Sequence, residues 1–274
     1  MGMRIAFVLL ASRLVAALPA AAGVNFFELE VYPATTEGKG IHELESTSTY
    51  VANGRQPSAG EVAGEEARRH RLLRTSLEYN YGLTDSIDLA AYLDLQRPNG
   101  HDVEYAGVRF RGRGGLWEKA RYPVDVGWYL EAEVPHGSKS DLELEFRPLM
   151  SRDFGRFSVD LNPIFDLPTV SEERRTLEFG YAARVYYRLS RNLVPGVEFY
   201  GGAGQIRRPD PSRDQEHYVL PALYGRLFHR FRFAAGPAFG LTRVSDPVIL
   251  KLQVEYEFTL PFGAVSAGSS PVTY

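Results

Sequence analysis

The stretch Leu250–Phe258 alternates strictly between apolar and polar residues. Its apolar positions are Leu250, Leu252, Val254, Tyr256 and Phe258, and its polar positions are Lys251, Gln253, Glu255 and Glu257. Because successive side chains of a strand point to opposite faces, the pattern predicts a β-strand with one apolar and one charged face. Two environments suit such a strand. In a soluble sandwich the apolar face packs on a core, and in an outer-membrane barrel it faces lipid while the charged face lines a wet lumen.

The same alternation recurs along the chain from Ile41 onwards. The patterned segments lie near residues 41–51, 71–81, 87–96, 103–112, 123–134, 141–150, 156–166, 176–189, 193–204, 217–227, 231–241 and 248–258. Most of them reach about nine residues or more, which is the length that crosses a bilayer at a tilt, whereas a mean globular strand has about five or six. Twelve is also an even number, as single-chain bacterial barrels have.

The connections between these segments alternate in length. Those between residues 81–87, 150–156, 189–193 and 227–231 are short, whereas Val51–His70 and Gln205–Glu216 are long and polar. Short periplasmic turns opposite long extracellular loops are typical of outer-membrane barrels. The long connection 112–123 breaks this rule, because it falls on the short-turn side.

Aromatic residues gather near the predicted periplasmic strand ends, on the apolar face, where a membrane barrel has its interfacial girdle. They are Tyr79, Tyr81, Phe157, Tyr187, Phe231, Tyr256 and Phe258. Together with strand length and loop asymmetry, this girdle favours the membrane alternative. We therefore predict an all-β protein, a closed antiparallel transmembrane β-barrel of about 12 strands over residues 41–258.

The segments flanking the barrel have separate interpretations. Residues 1–22 resemble a cleaved signal peptide, with Arg4, an apolar run from Ile5 to Leu18, and small residues at Ala20 and Ala22. Residues 23–40 are either an extra strand or a segment at the periplasmic mouth, and we assign them to the mouth. Residues 259–274 form a C-terminal tail.

Composition removes several classes of function. The chain has 274 residues, a formal net charge of -3 and no cysteine. The near balance of charge gives no reason to expect nucleic-acid binding, and disulfides and thiolate metal sites are excluded. No histidine pair has metal-ligand spacing and no cofactor motif is present, so we predict no metal and no cofactor. The expected partners are the lipid bilayer and a small solute whose identity the sequence does not give.

Two stretches carry a resemblance to a family. Tyr81–Leu93 and Arg152–Pro163 resemble hairpins of Gram-negative outer-membrane β-barrels of the transporter type or the MetA-pathway phenol-degradation type. The last strand, with Tyr256 and Phe258, is similar to the signal that such proteins present to the barrel-assembly machinery. The resemblance implies an outer-membrane location, although here residues 259–274 follow the aromatic pair.

The charged inner face carries most of the functional information. We predict that the lumen is lined by Arg74, Asp94, Arg109, Arg111, Glu131, Glu133, Glu143, Glu145, Arg147, Asp160, Arg184, Glu198, Arg232 and Glu257. Turn length and charge together predict four cross-strand pairs. These are Arg74 with Asp94, Arg147 with Asp160, Arg184 with Glu198, and Arg232 with Glu257.

Four acids crowd a single hairpin, with no basic residue predicted directly opposite them. They are Glu131, Glu133, Glu143 and Glu145. We expect them to meet a passing cation or a distant Arg109 or Arg111. An excess of acids in a lumen favours cations.

Three functions remain open. The first is a narrow diffusion channel or transporter-like barrel for small solutes. The second is an outer-membrane hydrolase with a site in the rim loops, where His101, Asp102, His136, Ser138 and Asp141 lie, although no catalytic motif is recognised and we do not expect an enzyme. The third is a structural barrel whose lumen is blocked by ion pairs.

Overall fold

A computed structural model describes residues 25–55, 69–136, 142–168, 176–190, 192–228 and 230–260. The predicted signal peptide and most of the C-terminal tail lie outside these ranges. The strands are β1 Ile41–Asn53, β2 Leu73–Thr84, β3 Ile87–Arg97, β4 Glu104–Gly115, β5 Asp125–Pro135, β6 Glu143–Phe154, β7 Phe157–Pro168, β8 Glu178–Tyr187, β9 Leu193–Gln205, β10 Arg208–Pro209, β11 Glu216–Leu227, β12 Phe231–Gly240 and β13 Val248–Thr259.

Twelve of these strands close into an antiparallel barrel. Each pairs with the barrel strands before and after it in sequence, so that β9 pairs with β8 and, past β10, with β11. The last strand, β13, returns to β1, and Ile41 lies opposite Thr259. The two-residue β10 pairs with β9 and lies outside this ring. Each predicted segment overlaps one barrel strand, and the predicted fold class is confirmed.

The two faces of the wall differ in the way that the alternation predicts. Large apolar side chains stay exposed on the outer face, including Leu44 at 50%, Phe110 at 59% and Leu130 at 52%. Leaving such residues in water would forgo roughly 1.5–3 kcal/mol each, so this outer belt is built for an apolar surrounding. On the inner face, Arg109 and Arg147 are at most 1% exposed. The described part of the chain contains no helix that is both long and apolar enough to cross a membrane.

The two ends of the barrel also differ. At the short-turn end, β6 and β7 are joined by a two-residue turn in which Gly155 has a φ of 63°. The exceptional connection between β4 and β5 lies at this end too, and Trp117 in it packs edge-on against Tyr122 at 4.9 Å. Aromatic rings follow the same rim, where Phe231 packs on Tyr256 at 4.9 Å. We call the opposite rim the long-loop end.

Three of the four predicted cross-strand pairs are wrong in register. Arg74 lies opposite Gln96, because β2 continues to Thr84 and leaves only a two-residue turn before Ile87, with a bulge between Gly82 and Thr84. Asp160 lies opposite Ser151, since the tight Gly155 turn lets β6 continue to Phe154. Arg232 lies opposite Glu255, although it also forms an ion pair with Glu257.

Arg184 does lie opposite Glu198. Its ion pair, however, reaches Asp160 on the other neighbouring strand at 2.7 Å. All three register errors are shifts by an even number of residues, so every side chain keeps its predicted face.

Candidate functional site: the lumen and the segment inside it

Residues 25–40, which we call the lumen segment, run through the inside of the barrel without joining the sheet. Near the long-loop end, Phe26 packs edge-on against Tyr218 at 5.6 Å. Halfway down, the Tyr32 amide donates to Asn162 Oδ1 at 2.7 Å and the Asn162 amide donates back to the Tyr32 carbonyl at 2.9 Å. At the short-turn end, the Gly40 amide donates to the Gly82 carbonyl at 2.8 Å. The segment that the sequence placed at the mouth therefore extends well into the lumen.

One side of the lumen segment is apolar. Phe26, Leu29 and Val31 are buried in a cluster built from strands β8 to β13, together with Val51 and Leu72. The wall side of the cluster contains four buried tyrosines with aliphatic residues between them. We call this surface the tyrosine wall, and it comprises Tyr186, Val194, Tyr200, Tyr218, Leu220, Ala222, Tyr224, Ala238 and Ile249. The lumen here is closed by ordinary core packing rather than by charges.

The other side of the lumen segment is acidic and meets the arginine wall, which we define as Arg109, Arg111 and Arg113 of β4 with Arg147 of β6. Glu28 forms an ion pair with Arg109, lies 3.4 Å from Arg147 and accepts a hydrogen bond from the Tyr129 hydroxyl at 2.9 Å. Its carboxylate therefore joins two fully buried guanidinium groups. Removing one partner of such a network leaves an uncompensated buried charge.

Arg109 lies at the centre of this network. It donates to Asp94 at 2.8 Å and to the Ser76 hydroxyl at 2.8 Å, and it lies 3.2 Å from Glu131. Its guanidinium also stacks over the Tyr92 ring at 4.2 Å. The Arg109 charge is thus fully compensated by side chains, which is the condition under which a buried charge is tolerated.

Tyr32 of the lumen segment is surrounded by arginines. The guanidinium carbons of Arg111, Arg113 and Arg147 lie 5.2, 5.3 and 5.6 Å from its ring centroid. Cations over an aromatic face attract the ring, most strongly when both are shielded from water. Tyr32 therefore anchors the middle of the segment to the arginine wall.

Wall glycines let the lumen segment come close at the short-turn end. A side chain at Gly82 would collide with the Gly38 carbonyl, and a Cβ at Gly127 would lie 3.1 Å from the Ala34 carbonyl oxygen. Beside them, the Glu37 amide donates to Asp88 at 3.1 Å. This contact between backbone and carboxylate fixes the last turn of the segment before β1.

The four crowded acids divide into two pairs. Glu131 and Glu145 lie deep, and they contact Arg109 and Arg147 respectively, so Arg109 is a direct partner rather than a distant one. The prediction that no basic residue lies directly opposite these acids is wrong, because Arg111 lies opposite Glu131 and Arg109 lies opposite Glu133 on β4. Glu133 and Glu143 face each other across β5 and β6 nearer the long-loop rim. We call Glu133 and Glu143 the mouth acids.

The remaining predicted lining residues also lie on the inner face. Arg111 forms an ion pair with Glu78 at 2.8 Å, and Arg74 stacks over the Phe26 ring at 5.3 Å. Glu198 is fully buried and lies 3.0 Å from Lys251. Arg232 joins Glu43, Glu255 and Glu257 into a single cluster.

The rim residues considered for a hydrolase are only partly described. His101 and Asp102 are exposed, and His136 packs edge-on against Tyr105 at 5.0 Å. Ser138 and Asp141 lie outside the described residues. The structure thus adds nothing to that hypothesis.

The sequence interpretation missed the lumen segment as the principal partner of the wall. A signal for it was present, because Glu28, Leu29, Glu30 and Val31 alternate between acidic and aliphatic residues. That alternation matches the two faces that the segment presents to the arginine and tyrosine walls. The sequence interpretation also did not predict that the inner face of β11 is apolar.

Comparison with known proteins places this architecture in a class. A scan of protein families and a search of curated proteins gave no match. Among solved structures, the barrel is similar to a COG4313 outer membrane channel from Pseudomonas putida F1, with a TM-score of 0.55, 12% identity, and coverage of 84% of this chain and 100% of that one. It is also similar to the KdgM porin, with a TM-score of 0.54, 8% identity, and coverage of 79% of this chain and 99% of that one.

A second structure of that porin, in complex with disordered oligogalacturonate, matches with a TM-score of 0.52 and 10% identity over 80% of this chain and 99% of that one. The fold is therefore that of outer-membrane β-barrels. The finer resemblance, to the MetA-pathway phenol-degradation type, stays a prediction.

Proposed function

We propose that this chain is an outer-membrane channel for small solutes, and that the lumen segment holds it closed in the conformation described here. The outer apolar belt suits a lipid surrounding, and a twelve-stranded barrel is intermediate between side-chain-filled eight-stranded barrels and open sixteen-stranded porins. In this proposal residues 1–22 direct export and are cleaved, the short-turn end is periplasmic, and the host is a Gram-negative bacterium.

The observation that carries the proposal is the way in which the lumen is filled. The backbone hydrogen bonds between the wall strands form a complete ladder around the ring. The lumen segment, in contrast, is held mostly by side chains such as Glu28, Leu29 and Tyr32. The segment can leave the lumen without breaking the ladder. A closed barrel with a removable interior segment is what a gated channel requires.

The mouth acids suggest which solutes pass. Glu133 and Glu143 face each other at the long-loop end, and two carboxylates there attract cations and repel anions. The proposal is therefore a channel with a preference for cations over anions among small solutes.

The test is conductance in planar bilayers, with the full mature chain compared with a deletion of residues 25–36. We expect rare openings for the full chain and steady conductance for the deletion variant, because the wall remains closed on itself. Both proteins should shift in migration on heating in a denaturing gel, which checks that each barrel is folded. A folded deletion variant that conducts no ions would overturn the channel proposal.

A structural barrel is the second candidate function. The specific observation in its favour is the compensated network of Arg109 with Glu28, Asp94 and Glu131 inside the barrel. The same bilayer experiment decides between the two, since a structural barrel stays silent after the deletion.

Assembly is tested separately. In the proposal, Tyr256 and Phe258 are recognised by the barrel-assembly machinery, and Phe258 stacks on His42 at 5.3 Å and on Tyr256 at 5.9 Å. Phe258→Ala should lower the amount of heat-modifiable protein in outer membranes, whereas Phe239→Ala, on the same outer face, should not. Recovery of the wild-type chain as a soluble monomer without detergent would contradict the membrane assignment itself.

A further inference from the structure

Three carboxylates from three separate parts of the chain converge inside the barrel. Glu30 belongs to the lumen segment, Glu45 to β1 and Glu78 to β2, and one oxygen from each lies within 4.8 Å of the others. Glu45 and Glu78 are directly opposite each other in the sheet. All three line a single small cavity between the lumen segment and the wall.

The acids of this cavity outnumber its basic residues, since six glutamates line it together with three arginines, Arg111, Arg113 and Arg232. Glu78 forms an ion pair with Arg111 at 2.8 Å. Among the residues that the structure describes, no arginine or lysine lies within ion-pair distance of Glu30 or Glu45. Glu45 accepts hydrogen bonds from Thr47 at 2.6 Å and from Gln253 at 3.0 Å, which are neutral donors. Within the described ranges, two neighbouring carboxylates are therefore left without a direct counter-charge, which is unfavourable at a buried site.

A second observation points independently to a ligand. Asn80 is 1% exposed, and neither its Oδ1 nor its Nδ2 has a hydrogen-bond partner in the described part of the chain. It projects from the inner face of β2, two residues from Glu78 and directly opposite Glu43 of β1. Buried amides in folded proteins are nearly always satisfied. An unpartnered amide carbonyl on the same face of the wall as Glu45 and Glu78 is the kind of oxygen that completes a hard-cation site.

A neighbouring acidic cluster shows what a filled site looks like. Glu37, Glu43 and Glu257 also bring their oxygens within 4.8 Å of one another. There the Arg232 guanidinium lies among them, in ion pairs with Glu43 and Glu257 and 3.6 Å from Glu37. In the Glu30 cluster no guanidinium of the described residues takes the corresponding place between all three acids.

We propose that Glu30, Glu45 and Glu78 bind one divalent cation of the calcium class, and that the Asn80 amide carbonyl completes the ligand set. Calcium takes oxygen ligands at about 2.3–2.6 Å, so two of its ligands lie up to about 5 Å apart, which the 4.8 Å limit of this cluster satisfies. Calcium also accepts irregular geometry and mixed carboxylate and carbonyl donors, whereas magnesium demands a near-ideal octahedron.

The position of Glu30 gives the site a consequence. Glu30 is on the lumen segment while Glu45 and Glu78 are on the wall, so a bound cation ties the segment to the barrel. Loss of the cation leaves three acids facing one another and favours departure of the segment. This regulatory role rests on the channel proposed above, but the binding site does not.

The experiment is calorimetry of the folded full mature chain in detergent, titrated with calcium chloride after removal of divalent ions. We expect one site per chain. Glu30→Gln should weaken binding about tenfold or more, because affinity follows the number of charged ligands. The matched control is Glu37→Gln, which changes an acid of the same segment and cavity that faces Arg232 and should bind as the wild type does.

Two results would overturn the site. One is the absence of saturable calcium binding to folded wild-type chain, and the other is unchanged binding by Glu30→Gln, which would assign the calcium to other carboxylates. Glu30→Gln leaves every wall residue intact, so the barrel should fold. Asn80→Leu is the second variant, and it should also weaken binding.

Conductance separates this proposal from the channel proposal. If calcium binds and Glu30→Gln abolishes the binding, but the variant lacking residues 25–36 does not conduct, then the calcium site is confirmed and the channel proposal is wrong. If the deletion variant conducts while calcium does not bind, then the channel proposal is confirmed and the calcium site is wrong. If both proposals are correct, chelation of calcium should increase channel opening in the wild-type chain and leave channel opening in Glu30→Gln unchanged.

Discussion

The arginine wall and the tyrosine wall close the same lumen by different physical means. On the arginine wall, Arg109 and Arg147 are held by carboxylates from the neighbouring strands and by Glu28 of the lumen segment. On the tyrosine wall, Leu29 and Val31 pack among aromatic and aliphatic side chains as they would in a soluble core. One side therefore depends on the compensation of charge, and the other on burial of apolar surface.

The contrast shows that the lumen segment completes the interior rather than merely occupying it. Without it, the arginine wall would lose the Glu28 carboxylate and the tyrosine wall would expose an apolar surface to water. The costs are of different kinds, since an uncompensated buried charge is penalised more heavily than exposed apolar area. Substitutions on the two walls should consequently lower the stability of the barrel by different amounts.

The largest effect is expected from Arg109→Ala on the arginine wall. It leaves Glu28, Asp94 and Glu131 without their shared partner, and breaking a buried pair in this way costs about 3–5 kcal/mol. The free energy of unfolding can be obtained from a urea titration in which the heat-modifiable shift on gels reports the folded fraction.

The control for this prediction is Arg243→Ala. Arg243 hydrogen-bonds to Asp214 in an exposed loop and thereby lowers the pKa of that carboxyl, and exposed pairs contribute little to stability. Equal urea midpoints for Arg109→Ala and Arg243→Ala would show that the arginine network does not stabilise the barrel.

The second effect concerns the tyrosine wall, where Leu29→Ala should loosen the lumen segment. Leu29 is fully buried, and truncating a buried leucine costs about 2–5 kcal/mol. Because the chain has no cysteine, a Val31→Cys background gives a single thiol whose maleimide labelling reports exposure of the segment.

Labelling of Val31→Cys should be slow alone and faster once Leu29→Ala is added. Phe27→Ala is a useful comparison, because Phe27 is only half-buried. This substitution should accelerate labelling less than Leu29→Ala does. Rapid labelling of Val31→Cys by itself would mean that the segment does not rest on the tyrosine wall.

The amino-acid pattern was sufficient for the wall but not for its interior. Strict alternation gave the faces of the strands, and because the register errors at Arg74, Asp160 and Arg232 were even-numbered shifts, they changed partners without changing faces. Partners depend on bulges and on turn length, such as the two-residue turn at Gly155. These are local details to which a period of two is insensitive.

The interior was harder to predict because it is made by a segment from outside the repeating pattern. The inner positions of β11, from Tyr218 to Tyr224, are apolar, and charge alternation alone gives no reason for this until Leu29 and Val31 are placed against them. The Arg184–Glu198 register was predicted, but Arg184 binds Asp160 and Glu198 binds Lys251. Exchanging the two residues would therefore bring like charges together.

A third and smaller effect is expected from Tyr200→Phe, which tests the polar contacts within the tyrosine wall. The Tyr200 hydroxyl donates to buried Glu198 at 2.6 Å, and Glu198 keeps Lys251 and the Tyr224 hydroxyl after the change. A hydrogen bond to a charged group contributes about 1.5–3 kcal/mol, so the urea midpoint should fall by less than in Arg109→Ala. Tyr105→Phe, on the exposed outer face, should leave the midpoint unchanged. A larger fall for Tyr200→Phe than for Arg109→Ala would reverse the ranking of the two walls.

The smallest effect is expected at the mouth, beyond both walls, where Glu133→Gln with Glu143→Gln should lower cation preference without altering stability. The two acids face each other near the long-loop rim, and Glu143 is exposed, so water and salt screen them far more than they screen Glu28 or Glu131. In bulk water two unit charges about 4 Å apart interact with an energy of about 1 kcal/mol. The ratio of cation to anion permeability, measured from reversal potentials of the variant lacking residues 25–36, should therefore fall by a factor of about two to five.

The matched control for the mouth is Asp214→Asn, since Asp214 lies at the same end but is already paired with Arg243. An equal change of selectivity for Asp214→Asn would indicate a general rim potential instead of a specific mouth pair. If the Glu133 and Glu143 substitutions leave the ratio unchanged in a conducting barrel, selectivity must be set deeper, where Arg109 and Arg147 face the lumen that the segment has vacated. The arginine wall would then favour anions, and the preference of the open channel would be opposite to the one that the mouth acids predict.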